Sequence, residues 1–313
     1  MKAIVLDSFG STDVLDLRDV DQPEPGPGEI LVKVHATSVN PVDTKIRERG
    51  SAYALEPPII LGYDVSGVIE AIGDGVDDLA EGDEVFYTPE LNAHGAYAEY
   101  HVARAENVAF KPQTLSHEEA AAIPLAACTA WQALIDRAGL QAAETVLIHG
   151  GGGVGHFAVQ IAYAAGAQVV VVGNPDMEDA LLDLGADEFV DYDDDAFEDT
   201  VDEVSGGLGA DVILDTVGGH ILAESISSLA QYGRMVTIVG DATGDLGKVY
   251  RKNAAIYPMM MERGAAMLDR LGLLIDNGQL RPLIDRSMKL EDAAEAHRLI
   301  ERGGLEGKIV LTP

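Results

Sequence analysis

Between Glu144 and Gly166 the chain runs ETVLIHGGGGVGHFAVQIAYAAG, and this stretch constrains the fold more than any other. Thr145 to His149 is a short, apolar, β-branched run, too brief for a helix and suited to a strand buried on both faces. Gly150, Gly152 and Gly155 then fall in GxGxxG register. Val154, Phe157, Ala158, Ile161, Ala162 and Ala165 continue at helical spacing, with Gly166 as the stop. Strand, tight turn and helix in this order make a dinucleotide-binding unit. The glycines let the turn close and the backbone approach a pyrophosphate, while the helix N-terminus faces the anion. The predicted cofactor contacts in the turn are Gly150, Gly152, Gly153, Val154 and Gly155.

The rest of the chain extends this unit on both sides. Residues 1–120 are β-rich, with one short helix over 41–49 opened by Asn40 and Pro41. From 121 to 258 strands alternate with helices, the pattern of a parallel, doubly wound sheet. Within it a helix is expected over 221–230 and a strand over 235–239. Residues 259–313 hold a helical segment over 260–276 and too few elements for a domain, so they are expected to return and complete the first one. The fold class is thus α/β, with a β-rich domain into which a Rossmann-type domain is inserted.

Charge narrows the partners. Against 21 Lys and Arg stand 53 Asp and Glu, a formal net charge of -32, yet 47% of residues are hydrophobic, so a core is affordable and the acids belong on the surface. Such a surface repels nucleic acid and anionic lipid. It suits concentrated salt, where the Debye length falls to about 3 Å at 1 M; an ordinary acidic protein is the alternative. Cys128 is the only cysteine, which excludes an internal disulfide and a cysteine-rich zinc lobe. No apolar run reaches membrane-span length and no signal core opens the chain, so a cytoplasmic location is expected.

Nine segments carry a resemblance: SVNPVDTKIRERG, PPIILGYDVSGVIEAIG, EGDEVF, GAYAEY, AAAIPLAACTAWQAL, VLIHGGGGVGHFAVQIA, LGADEFVDY, DVILDTVGG and EGKIVL. In this order they resemble the zinc-independent medium-chain dehydrogenases, in the quinone oxidoreductase branch. The resemblance implies a GroES-like catalytic domain, a Rossmann domain, NADPH as hydride donor, a homodimer, and a quinone, enone or other activated alkene as substrate. A nucleotide-binding protein without turnover, and an alcohol or sugar dehydrogenase, are the alternatives. Where zinc relatives carry ligands this chain has Asn40, Tyr63 and Leu125, which offer no thiolate, imidazole or carboxylate. No metal is therefore expected, beyond a stray cation at Asp43 and Asp64.

The same resemblance places Asn40 and Thr129 at the nicotinamide. It makes Tyr53 and Asp43 candidates for substrate contact or proton delivery. Each has a plainer reading: Asn40 as a cap, Thr129 bonded within its helix, Asp43 on a solvated face, Tyr53 as a loop anchor. Histidines 94, 101, 117 and 156 are expected at the surface. At the adenosine end the second strand closes on Asn174, with neither the carboxylate usual for NAD nor the basic group usual for NADP. Asp176 reads as a cap for the next helix, and Tyr192 matches a tyrosine that relatives place beside the adenosine phosphate. Lys248, Arg251 or Lys252 is left to reach a phosphate from further along, so NADPH is the expected cofactor with NADH open.

Overall fold

The computed structural model describes residues 1–50, 55–193, 197–240 and 243–313. Two units emerge: one of Met1–Leu125, Glu262–Gly278 and Pro282–Pro313, the other of Ala126–Met261 and Gln279–Arg281.

The first unit opens with β1 (Lys2–Leu6), β2 (Asp16–Asp19) and the long β3 (Glu29–Val39). Helix α1 (Pro41–Arg49) follows at once, because Asn40 is in extended conformation and Pro41 has no N–H to leave unpaired at the first position. Then come β4 (Ile59–Ile60), β5 (Val65–Ile72), β6 (Glu84–Tyr87), β7 (Tyr100–Arg104), β8 (Ala109–Phe110) and α2 (His117–Ala121), after which α3 (Pro124–Trp131) begins at the end of this unit and runs on into the second from Ala126.

The second unit is built on β9 (Thr145–His149), α4 (Gly155–Ala164), β10 (Gln168–Gly173), α5 (Glu178–Asp183), β11 (Glu188–Asp191), α6 (Phe197–Val204) and β12 (Ala210–Asp215). It continues with α7 (Ile221–Ser225), β13 (Leu229–Thr237), α8 (Leu246–Lys252) and β14 (Ala255–Pro258). Its strands are all parallel in the order β11-β10-β9-β12-β13-β14. This is a doubly wound sheet whose order reverses at β9, and such sheets take their ligands at the carboxyl end of that switch point. Val170, Leu147, Ile213 and Met235, one from each central strand, are fully buried in its core.

The chain then returns to the first unit through α9 (Ala265–Asp276), β15 (Ile284–Lys289), α10 (Ala293–Arg302) and β16 (Lys308–Thr312). Strand β16 pairs antiparallel with β3, Ile309 opposite Val39, in a sheet ordered β15-β16-β3-β5-β6-β8. A core of Ile4, Leu6, Val39, Ile46, Ile309 and Leu311 lies under it.

Two expected elements differ. The alanine-bearing stretch to Ala230 is not one helix: α7 ends at Ser225, and Leu229 already pairs with Ala210 as the start of β13. Tertiary pairing here overrides local helix propensity. The segment before α9 is likewise not helical, because Gly264 stands there in an extended conformation as the N-cap.

Candidate active site

In the first unit the end of β3 and the start of α1 bring Asn40 and Asp43 together. The Asp43 carboxylate accepts the Asn40 N–H at 2.8 Å and the Gly62 N–H at 2.9 Å. Gly62 has φ +105°, and a Cβ there would stand 2.4 Å from the Tyr97 ring, so only glycine turns this amide toward the carboxylate. Asp43 is fully buried, which corrects the solvated-face reading. Burial pushes its carboxyl up to about 7, with Asp64 adding to the rise; the two backbone N–H groups and Lys308 oppose it.

Asp64 is the second centre. Its Oδ2 accepts from Ser38 Oγ at 2.6 Å and Asn40 Nδ2 at 2.7 Å, and its Oδ1 accepts from the Leu125 N–H at 2.7 Å. Lys308, the first residue of β16, completes the group. Its ammonium donates to the Val39 carbonyl at 3.2 Å, to Asn40 Oδ1, and to Asp64 Oδ2 at 3.4 Å. Asn40, Asp64 and Lys308 are all buried. Burial lowers the Lys308 ammonium, while Asp64 and Asp43 hold it up. Sequence reasoning missed Lys308, because its partner lies 244 residues away.

These contacts bear on the stray-cation reading. Asn40 has spent its oxygen on Lys308 and an amide hydrogen on Asp64, Leu125 has no side-chain donor, and an ammonium already sits where a cation would. The stray-cation expectation for Asp43 and Asp64 is therefore corrected: the cation beside Asp64 is Lys308. Among the described residues no cluster of three His, Cys, Asp or Glu could hold a metal ion. The Tyr63 hydroxyl is buried without a hydrogen-bond partner among the described residues. Tyr53 lies outside the described residues.

Three of the histidines expected at the surface are elsewhere. His101 is buried against the Tyr87 hydroxyl at 2.8 Å, His117 is largely covered and bonded to Ser66 Oγ at 2.8 Å, and His156 is fully buried. His94 is exposed. His297, on α10, meets the Tyr97 hydroxyl at 3.2 Å through Nε2 and the Arg47 guanidinium at 3.4 Å through Nδ1. Since arginine only donates, Nδ1 must accept and Nε2 carries the proton.

In the second unit the glycine turn sits at the carboxyl end of β9. A Cβ on Gly155 would lie 1.7 Å from the Gly150 carbonyl oxygen, so the helix starts as close to the strand as backbone allows. Gly152 has nothing within 4 Å of its would-be Cβ: the backbone there faces open space that a side chain would fill. Gly153 and Val154 lead into α4, with Val154 as N-cap. His156 turns back onto the Gly152 carbonyl, its Nδ1 at 2.9 Å. The geometry fits a pyrophosphate held by backbone N–H groups. Thr129, buried on α3, belongs to the same unit. Just after it the helix widens into a π-turn over Gln132–Arg137, which packs on α4, β12 and β13.

Asn174 follows the end of β10, and the Tyr192 N–H donates to the carbonyl of the preceding residue, Gly173, at 3.1 Å. Asn174 Oδ1 accepts the Asp176 N–H at 3.1 Å, so Asn174 is the cap and Asp176 is capped, the reverse of the expectation. The basic residues of α8 start from another part of the sheet. Helix α8 packs on β13, three strands from β10, about 14 Å at ordinary strand spacing. The Lys252 ammonium is already bonded to the Ser227 carbonyl at 2.8 Å and to the Leu229 carbonyl. The segment Gln168–Asp193 has no Lys, Arg or His, and it carries Asp176, Asp191 and Asp193 around the strand ends.

A GroES-like unit carrying a buried polar cluster built around Lys308 and a Rossmann unit carrying a glycine turn define a nicotinamide-dependent oxidoreductase of the medium-chain type. Residues 26–113 match the alcohol dehydrogenase GroES-like domain, and residues 184–311 match the family described as zinc-binding dehydrogenase. A quinone oxidoreductase of Homo sapiens is 35% identical, over 99% of this chain and 97% of its own length. An NAD-dependent alcohol dehydrogenase structure superposes with a TM-score of 0.94 at 34% identity, covering 100% of both chains. The quinone oxidoreductase of Coxiella burnetii gives 0.90 at 32%, covering 100% of this chain and 99% of its own. The chain belongs to the zinc-independent medium-chain dehydrogenase/reductase family, in its quinone oxidoreductase branch.

Proposed function

We propose that the protein reduces quinones and conjugated carbonyl compounds with NAD(P)H, by direct hydride transfer and without a metal. The observation that carries this reading is the cluster of Asn40, Asp64 and Lys308 at the place where zinc relatives bind metal. A zinc alcohol dehydrogenase relies on its metal as the Lewis acid that stabilises the alkoxide. A quinone or enone accepts hydride at an electron-poor carbon and needs only hydrogen-bond donors for the oxygen that gains charge. The bound cofactor supplies the hydride. The glycine turn holds the pyrophosphate, Asn174 and Tyr192 border the adenosine, and Asn40 and Thr129 orient the nicotinamide and the acceptor. Asp43, buried and poised near neutrality, is the proton-holding group of this unit; Tyr53 is a further candidate for substrate contact.

A protein that only binds nucleotide needs the turn and not the buried charge cluster, which favours catalysis. We assign residues 1–120 and 259–313 to the substrate side and 121–258 to the cofactor side. The acidic surface supports work in a salt-rich cytoplasm away from nucleic acid and membranes, and no described helix is long and apolar enough to cross a membrane. Kinship supports a homodimer. The test is a panel of quinones, enones and simple alcohols with both cofactors in concentrated KCl, repeated with Thr129→Val and Asn40→Ala. Quinones and enones should be reduced, and both variants should bind cofactor yet turn over at least about tenfold more slowly, ~1.4 kcal/mol in the barrier. Alcohol oxidation alone, or variants at the wild-type rate, would refute it.

A further inference from the structure

The buried cluster has more order than a salt bridge needs. Lys308 has three N–H donors, and they go to the Val39 carbonyl, Asn40 Oδ1 and Asp64 Oδ2. Asp64 Oδ1 takes the Leu125 N–H, and Oδ2 takes Ser38 Oγ as well as Asn40 Nδ2. Lys308 only donates and Asp64 in its charged form only accepts. They therefore dictate which end of the Asn40 amide is oxygen and which is nitrogen. One N–H of Asn40 is then consumed by Asp64. Among the described residues, the second Nδ2 hydrogen is the one donor of this cluster with no partner, while the ammonium is fully spent and cannot itself reach a reactant.

We infer that Lys308 and Asp64 are positioning residues for hydride transfer: they lock the Asn40 amide so that its remaining N–H is presented to a carbonyl oxygen of the bound reactants. The inference rests on Asn40 acting at the nicotinamide end, as proposed above. It explains why a lysine is kept buried at the head of β16, where an apolar residue would cost less desolvation. Without Lys308 the Asn40 amide loses the bond that distinguishes its two ends and becomes free to rotate, so its donor faces the reactants only part of the time.

The test is a double-mutant cycle on Asn40→Ala and Lys308→Met, read by single-turnover oxidation of bound NAD(P)H and by cofactor titration. Because Lys308→Met leaves the Asp64 charge unpaired, the cycle is run in parallel with the neutralised pair Asp64→Asn/Lys308→Met. In the apoprotein, the Asn40 side-chain amide is followed by NMR after selective ¹⁵N-asparagine labelling, its signal assigned by loss in Asn40→Ala. We expect Lys308→Met and the neutralised pair each to slow hydride transfer at least tenfold, with cofactor affinity within threefold of wild type. In the Asn40→Ala background either change should slow it no further, since its effect runs through the amide. The two Asn40 amide hydrogens, distinct in the wild type, should exchange at least tenfold faster without Lys308. A further loss in the Asn40→Ala background, or an unchanged Asn40 signal in both Lys308 variants, overturns the positioning role. If Asn40→Ala itself transfers hydride at the wild-type rate, the functional reading fails first, which is a separate result.

Discussion

Gly152 and Gly155 stand three residues apart in one turn, yet their replacement should fail in opposite ways. At Gly155 a Cβ would lie 1.7 Å from the Gly150 carbonyl oxygen and 2.7 Å from its carbon, both backbone atoms that cannot step aside. Gly155→Ala must therefore open the turn, and it should lower the melting temperature by several degrees whether or not cofactor is present. At Gly152 a Cβ meets nothing within 4 Å, and no positive φ is required. Gly152→Val should therefore fold with a melting temperature close to wild type. The space it fills is the space a pyrophosphate needs. If the side chain displaces the phosphate from two backbone N–H groups, each such bond to a charged acceptor worth about 1.5–3 kcal/mol, the loss is about 3–6 kcal/mol. That is a dissociation constant raised at least about a hundredfold. Calorimetric titration with NADH and NADPH, beside thermal melts of the unliganded variants, separates the two. A Gly152→Val protein that binds cofactor within threefold of wild type would refute the placement of the pyrophosphate on this turn.

Acid should destabilise the protein well before its carboxylates are titrated. Burial holds His101 and His149 down to about 4 and His297 to about 3, and Arg47 adds to the effect on His297. A depressed folded pKa means stability complete above the unfolded value of about 6.5 and lost as pH falls through the folded one. The loss is on the order of 3 kcal/mol per histidine by about pH 4. Asp43 runs the other way, since its raised value gives up stability as pH climbs toward about 7, but it is one group against three. Melting temperature should fall between pH 6.5 and 4, and a flat profile there would count against the buried, neutral histidines. Tyr63→Phe removes a hydroxyl that is buried and unpartnered, so stability should hold or rise by up to about 1 kcal/mol in denaturant melts; a clear loss would mean the hydroxyl is bonded. Across a KCl series the melting temperature should rise as the charge of -32 is screened. In the same series NADPH should gain affinity relative to NADH if the adenosine lies where we propose, because Gln168–Asp193 carries Asp176, Asp191 and Asp193 and no Lys, Arg or His. An arginine-clamped site would show the reverse trend.

What the sequence makes legible is local or self-contained. Asn40 and Pro41 announce α1 because a capping residue followed by proline has few other uses, and the helix spans Pro41–Arg49 as read. The glycine register after β9 carries its own confirmation in the flanking strand and helix. What stays hidden is set by distant partners. Lys308 is one charged residue before an apolar strand, and nothing near it names Asp64 or Asn40. His101 and His156 look like surface residues until Tyr87 and the Gly152 carbonyl are brought to them. The helix α8 and strand β14 escape notice because neither has a strong period, and the sheet edge at β13 decides them.

The hydride transfer without a metal that we propose for Asn40 and its charged supports can be followed directly. The most direct measurement is stopped-flow oxidation of one equivalent of bound NAD(P)H by 1,4-benzoquinone in concentrated KCl, using protein dialysed against a strong chelator and certified metal-free by elemental analysis. We expect a full-amplitude transient at the same rate before and after chelation, slowed by deuterium at the transferred position of the cofactor. A transient that vanishes on chelation and returns with stoichiometric zinc would contradict it.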